Sequence, residues 1–147
     1  MSRPRVFLDS CVLIGGLAVP SSASSGLLKL HGSFFALVLA EAVYEETKRV
    51  FRRDFAAESA ELLKSLDHLL KRLVSERLPH ASAREVEQAG KLIKHQNDAP
   101  ILAAAIKAKP DWLITDNTKD FTEEVSKRTG LRIATPGRFL DEMALPR

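Results

Sequence analysis

Residues 97–121 read NDAPILAAAIKAKPDWLITDNTKDF: an aspartate opens an apolar segment, the segment runs into a short hydrophobic run, and that run ends in a second acidic cluster. Ile101, Leu102, Ala105 and Ile106 recur at helical spacing, with Asp98 one turn earlier on the same face. Pro100 is tolerated only in a first turn, so the helix starts close to Asp98, and Pro110 ends it. Trp112 to Thr115 is too short for a helix and reads as a strand buried on both faces. Asp116 then stands at the carboxyl end, where open α/β sheets bind ligands. Purely structural roles compete. Asp98 or Asn97 suits a helix N-cap, and Asp120 with Glu123 has capping-box spacing for the helix that Gly130 closes.

The same pattern occurs at the start of the chain. Arg5 to Leu8 is a short apolar run ending in Asp9, followed by Ser10, another apolar stretch and the Gly15-Gly16 pair. Asp9 is therefore expected at the same sheet edge as Asp116, or as the cap of a helix through Ile14. Residues 20–25 form a polar loop that can cap a helix carrying Leu27, Leu28 and Leu30, with Gly32 ending it. Residues 34–39 are the next strand candidate.

Glu41 opens a helix with Val43, Thr47, Val50 and Phe51 along one stripe. Glu46 is the carboxylate best aimed inward, with a surface pairing to Lys or Arg one turn on as the alternative. Lys48, Arg49, Arg52 and Arg53 in the same helix suit either a solvated face that complements its C-terminus or phosphate contacts beside an acidic site.

From Ala56 to Leu78 a leucine pattern reads as one long amphipathic helix, a core element or a homodimer interface. Ser82 to Glu85 is a capping box starting a helix to about Lys94, and His95 falls in the turn that follows, a position where histidine is usually inert. Residues 122–129 read as a helix, 131–134 as a last strand, and Thr135-Pro136 as the cap of a final helix with Phe139, Leu140 and Met143.

At 147 residues, 45% hydrophobic and 28% charged, the chain suits one globular domain. A net charge of +3 permits an anionic partner without demanding one. The single cysteine, Cys11, excludes an intramolecular disulfide and fits a cytoplasmic protein. Arg3 and Arg5 followed by CVLIGGLAV resemble a weak secretory signal, but Asp9 interrupts the apolar run and no disulfide framework follows. No segment reaches the length of a membrane span.

Strands near Val6, Phe35, Leu113 and Ile133, alternating with helices, predict an α/β fold with a parallel sheet covered on both faces. Right-handed crossovers then let Asp9, Glu46, Asp98 and Asp116 converge. Two like charges ~4 Å apart repel by ~4 kcal/mol at an effective dielectric near ~20, so such a cluster calls for a cation. Oxygen ligands suit Mg²⁺ or Mn²⁺, whereas zinc would recruit His or Cys, which the sequence does not place nearby. Phosphodiester hydrolysis is the natural chemistry of such a site.

VFLDSCVLI around Asp9, LVLAEAVYEETKRV around Glu46, NDAPILAAAI at Asp98 and LITDNTKDF ending at Asp120 follow one another over nearly the whole chain. In that order and spacing they resemble the PIN-domain ribonucleases, including the VapC-type toxins of toxin–antitoxin pairs. The resemblance implies a three-layer α/β/α fold with a central mostly parallel sheet and a single PIN-like nuclease domain over residues 1–147. It also implies endonucleolytic hydrolysis of RNA by activated water with one or two Mg²⁺ or Mn²⁺ ions, in the cytoplasm, with an antitoxin protein as partner and no membrane. Asp9, Glu46, Asp98 and Asp116 would be the catalytic, metal-binding acids, with Asp120 a further ligand. Ser10, Thr115 and Asn117 would support them, and Lys48, Arg49, Arg52 and Arg53 would contact RNA.

Two positions depart from the family pattern. Asn117 stands where an acid commonly follows the threonine by two residues, which leaves the division of labour among Asp116, Asn117 and Asp120 open. Cys11 stands where asparagine is common and reads as a small buried hydrophobe. A degenerate PIN domain that binds RNA or scaffolds a complex without cutting is the rival that Asn117 favours. A phosphatase with an aspartyl nucleophile at Asp9 would need an acid where Cys11 stands, and a receiver-type domain lacks its acidic pair.

Overall fold

The short apolar runs pair into one sheet in a computed structural model that describes residues 3–30 and 34–143. Strands β1 (Arg5–Leu8), β2 (Ala36–Ala40), β3 (Val74–Leu78), β4 (Trp112–Ile114) and β5 (Ile133–Ala134) take the order β3-β2-β1-β4-β5, every pairing parallel. Helices α1 (Ser10–Ala18), α2 (Ala23–Lys29), α3 (Glu41–Asp54), α4 (Ser59–Arg72), α5 (Ala83–Gly90), α6 (Ala99–Ala108), α7 (Glu123–Thr129) and α8 (Pro136–Glu142) connect and cover the strands. β1, β2 and β4 are buried almost without alternation, as strands must be when helices cover both faces. This is the three-layer α/β/α arrangement.

Large side chains fill the layers. Phe139 of α8 meets Phe35 edge-on at 5.6 Å and Trp112 of β4 at 5.3 Å, joining the last helix to the sheet. All three rings are buried, and truncating such a phenylalanine to alanine typically costs ~3–5 kcal/mol. The chain moves outward from β1 to β2 and β3, then returns to β1's other side as β4, so the order reverses at β1. The carboxyl ends of β1 and β4 therefore flank the switch point where such folds bind ligands.

Local chemistry sets the ends of most helices as the sequence predicts. Ser82 and Glu85 form a complete capping box, Ser22 caps α2, and Thr135 caps α8 with Pro136 in its first turn. Gly130 closes α7 at φ 77°, a left-handed position that a side chain would strain. Pro100 lies in the first turn of α6. The expected stop at Gly32 lies outside the described residues.

Three sequence expectations are corrected. Residues 56–78 are not one helix: after a short turn, α4 ends at Arg72 and β3 follows. β3 is an edge strand whose middle side chains are exposed, so it lacks the apolar alternation that marks a strand, while leucine spacing runs up to its door. The second strand lies at 36–40 rather than 34–39, because Phe35 turns into the core and Phe34 is exposed. α5 stops at Gly90 rather than near Lys94: the Gln96 amide folds back onto the carbonyls of Gly90, at 3.0 Å, and Ile93, at 3.3 Å. A Cβ at Gly90 would stand 2.7 Å from the Gln96 side-chain oxygen, so a larger residue there would push that amide aside. Ile93 is buried beneath the loop.

Among the described residues no single helix is long and apolar enough to cross a membrane. α1 and α2 pass that test only as a pair bent by 89°, and Val12, Leu13, Leu27 and Leu28 of these helices are core residues.

Candidate metal centre

The Asp9 backbone N–H donates to the Ile114 carbonyl at 3.0 Å, and Thr115 N–H donates to Ala134 at 2.9 Å. These bonds carry the sheet one residue beyond its strands and bring Asp9 and Thr115 side by side. The Thr115 hydroxyl donates to Asp9 Oδ2 at 2.7 Å, and Ser10 N–H donates to Oδ1 at 2.8 Å. Asp9 is thus both the N-cap of α1 and a fixed carboxylate at the switch point. Burial raises its pKa, opposed by these hydrogen bonds.

Cys11 is not merely a filler. Its Sγ lies 3.5 Å from both Asp9 Oδ2 and Thr115 Oγ1 and accepts the Asp116 N–H at 3.4 Å. Burial, and secondarily the charge of Asp9, push its thiol up to about 12, so it contributes a neutral S–H.

Glu46 approaches from α3, where Val43 and Thr47 on the same face are buried. Burial and then the Asp9 charge raise its pKa, while a hydrogen bond with the Ser10 side chain and the cations Arg49 and Arg53 pull it down. Glu41 and Glu45 face elsewhere, paired with Arg77 and with His80 at 3.0 Å.

Asp98 enters from the start of α6. It occupies the N-cap position, yet its side chain makes no capping bond. Its carboxyl is pushed up to about 6, first by burial, then by a hydrogen bond shared with Asp120 and by the charges of Asp9 and Asp120. Asp120 does not cap α7 either, because Thr122 takes that role by accepting the Val125 N–H. Asn117 holds the two acids together: its Nδ2 donates to Asp120 Oδ2 at 3.1 Å and Asp98 Oδ2 at 3.4 Å, and its own N–H rests on Thr115 Oγ1 at 2.9 Å. Asp116 stands at the exposed rim, its pKa raised by burial of its carboxyl and by the charge of Asp9.

The structure also brings in His95, which the sequence reading set aside. Its Nδ1 is 3.7 Å from Asp98 Oδ2, and donor atoms of His95, Asp98 and Asp120 all lie within 4.8 Å of one another. The premise that no His or Cys comes near the acids is therefore corrected. The i,i+3 spacing of His95 and Asp98 was the available signal; the short turn at Gln96–Asp98 that makes it a contact was not.

Beside Glu46, the side chains of Glu45, Lys48, Arg49, Arg52 and Arg53 line an open groove of about 520 Å³. Lys48 lies over the Tyr44 ring at 4.3 Å, and Arg53 pairs with Asp54 at 2.9 Å.

A reversed parallel sheet between helical layers, with carboxylates gathered at its switch point, defines an α/β protein built around an acidic centre. The PIN domain family matches residues 5–119, and the chain belongs to that family. Its fold is similar to that in the crystal structure of VapBC2 from Rickettsia felis bound to a DNA fragment from their promoter. That likeness has a TM-score of 0.65 at 20% identity, over 89% of this chain and 98% of that one. Among curated proteins none matches.

Proposed function

We propose that the chain is a metal-dependent endoribonuclease, a single cytoplasmic domain acting as the toxin of a toxin–antitoxin pair. The observation that carries this reading is the gathering of carboxylates at the sheet edge: Asn117 bridges Asp98 and Asp120, Thr115 holds Asp9, and burial first, then the charge of Asp9, raises the pKa of Glu46 and Asp116. Ionised together, such carboxylates repel, and a bound cation relieves that repulsion. Oxygen donors suit a hard divalent ion: Asp98 and Asp120 have donor atoms within 4.8 Å of each other and of His95. Among the described residues no group of three that close includes Asp9, Glu46 or Asp116, whose oxygens would complete the site from farther off, Asp9 oriented by Thr115 and Ser10. Bound there, Mg²⁺ or Mn²⁺ would polarise a phosphoryl oxygen and lower the pKa of water.

The chain's own residues do the rest. Thr115 and Ser10 fix Asp9, Asn117 sets the spacing of Asp98 and Asp120, and the groove of Lys48, Arg49, Arg52 and Arg53 would receive phosphates leading to Glu46. Membership of the PIN domain family supports nuclease chemistry, and the fold likeness to VapBC2 supports an antitoxin as partner.

A second reading, an RNA-binding domain without cleavage, draws support from Asn117, which supplies an amide where an acid would add charge. Cleavage of a labelled mixed RNA pool with Mn²⁺, Mg²⁺ or EDTA separates the two. Metal-dependent cutting that Asp98→Asn abolishes is the expected result; folded, RNA-binding protein that cuts nothing with either ion would favour the second reading.

A further inference from the structure

His95 is the one imidazole brought to the acidic centre among the described residues, where its ring faces the Asp98 carboxylate. Its loop is built to hold it there: Gln96 ties back to Gly90 and Ile93, and the Asp98 N–H donates to the His95 carbonyl at 3.0 Å, closing a tight turn between ring and carboxylate. An octahedral ion with bonds of about 2.1 Å sets neighbouring donors about 3.0 Å apart and opposite donors about 4.2 Å apart. The 3.7 Å between His95 Nδ1 and Asp98 Oδ2 lies between those two separations, and the His95, Asp98 and Asp120 donors all lie within 4.8 Å of one another, so binding an ion requires the donors to shift toward it. The ring is half exposed, so small rotations suffice.

We propose that His95 is a metal ligand which, with Asp98 and Asp120, makes this centre select a first-row transition ion over Mg²⁺. Imidazole nitrogen favours transition ions, whereas Mg²⁺ takes oxygen ligands almost exclusively. Asn117 strengthens the argument, because a neutral amide in place of an acid lowers the negative charge on which a purely ionic Mg²⁺ site depends.

The inference rests on the proposed metal centre, and the experiment keeps the two apart. Mn²⁺ and Mg²⁺ affinities are measured by calorimetry on the full chain, wild type, His95→Ala and Asp98→Asn, and pulsed electron paramagnetic resonance of bound Mn²⁺ is read for coupling to imidazole ¹⁴N. The expected result is ¹⁴N coupling in the wild type that His95→Ala removes, with a loss of ~10-fold or more in Mn²⁺ affinity and Mg²⁺ affinity unchanged. Mn²⁺ binding that depends on Asp98 but shows no ¹⁴N coupling, or equal losses for both ions in His95→Ala, would overturn the role of His95 and leave the acidic centre standing. No Mn²⁺ binding at all would overturn both. Matching thermal melts of His95→Ala and wild type without metal establish that the variant is folded.

Discussion

Asp98→Asn should make the metal-free protein more stable at neutral pH while destroying its response to metal. A carboxyl moved from its ordinary 3.8 to about 6 carries at most ~3 kcal/mol. Solvent screening at this half-buried group reduces that to ~1.5 kcal/mol. The sign follows from proton binding. Between pH 4 and 6 the folded protein holds a proton on Asp98 that the unfolded chain has lost, so stability falls as pH rises through this window, and the full penalty is present above it. Of the screened total, ~0.7 kcal/mol falls between pH 7.5 and pH 5, or ~2 °C in Tm for a domain of this size.

The assay is thermal unfolding in EDTA at both pH values. Wild type should gain ~2 °C on the variant when acidified, and the variant should melt above wild type at pH 7.5. Distant acids titrate alike in both proteins, so the difference reports Asp98 together with its coupling to Asp9 and Asp120. Adding Mn²⁺ at ~100 times its dissociation constant should then stabilise wild type by ~2.7 kcal/mol and leave the variant unmoved. A variant less stable than wild type at pH 7.5, or a difference indifferent to pH, would refute the account of Asp98 as a carboxylate held against its neighbours.

Thr115→Val removes the 2.7 Å donor to buried Asp9 and the acceptor of the Asn117 N–H. It should cost ~1.5–3 kcal/mol in denaturant unfolding, with Thr115→Ser recovering most of it. Reversing Arg49 and Arg52 to glutamate should weaken single-stranded RNA binding and flatten its logarithmic salt dependence by ~1.4, measured by fluorescence anisotropy; an unchanged slope would assign these cations to an ordinary solvated face.

Much of the architecture is legible because buried parallel strands announce themselves. VFL, ALVL and WLI are apolar runs too short for helices, each followed by a polar residue or a new helix, and all became strands. β3 is hidden because an edge strand with exposed Ser75, Glu76 and Arg77 carries no apolar rhythm. Asp9, Asp98 and Asp120 could be picked out from their places at strand and helix ends, and Glu46 from the face of α3 it occupies. Their mutual geometry could not: whether Asp120 capped a helix depended on Thr122 two residues later, and whether His95 mattered depended on how tightly the chain turned after Gly90. Cys11 looked apolar because its residue type is, whereas its surroundings made it a hydrogen-bonding partner of Asp9.

The pairing of β1 with β4 joins residues roughly a hundred positions apart, and the Asp9–Thr115 bond spans 106. During synthesis the ribosome therefore emits Asp9, Glu46 and Asp98 well before the strand that aligns them. Fragments from translation aborted before Trp112 carry these acids without Thr115, Asn117 and Asp120, and so lack an assembled centre. Contacts so distant in sequence also form slowly. A chain interrupted before Trp112 thus carries three of the acids but none of the side chains that fix their positions from beyond β4.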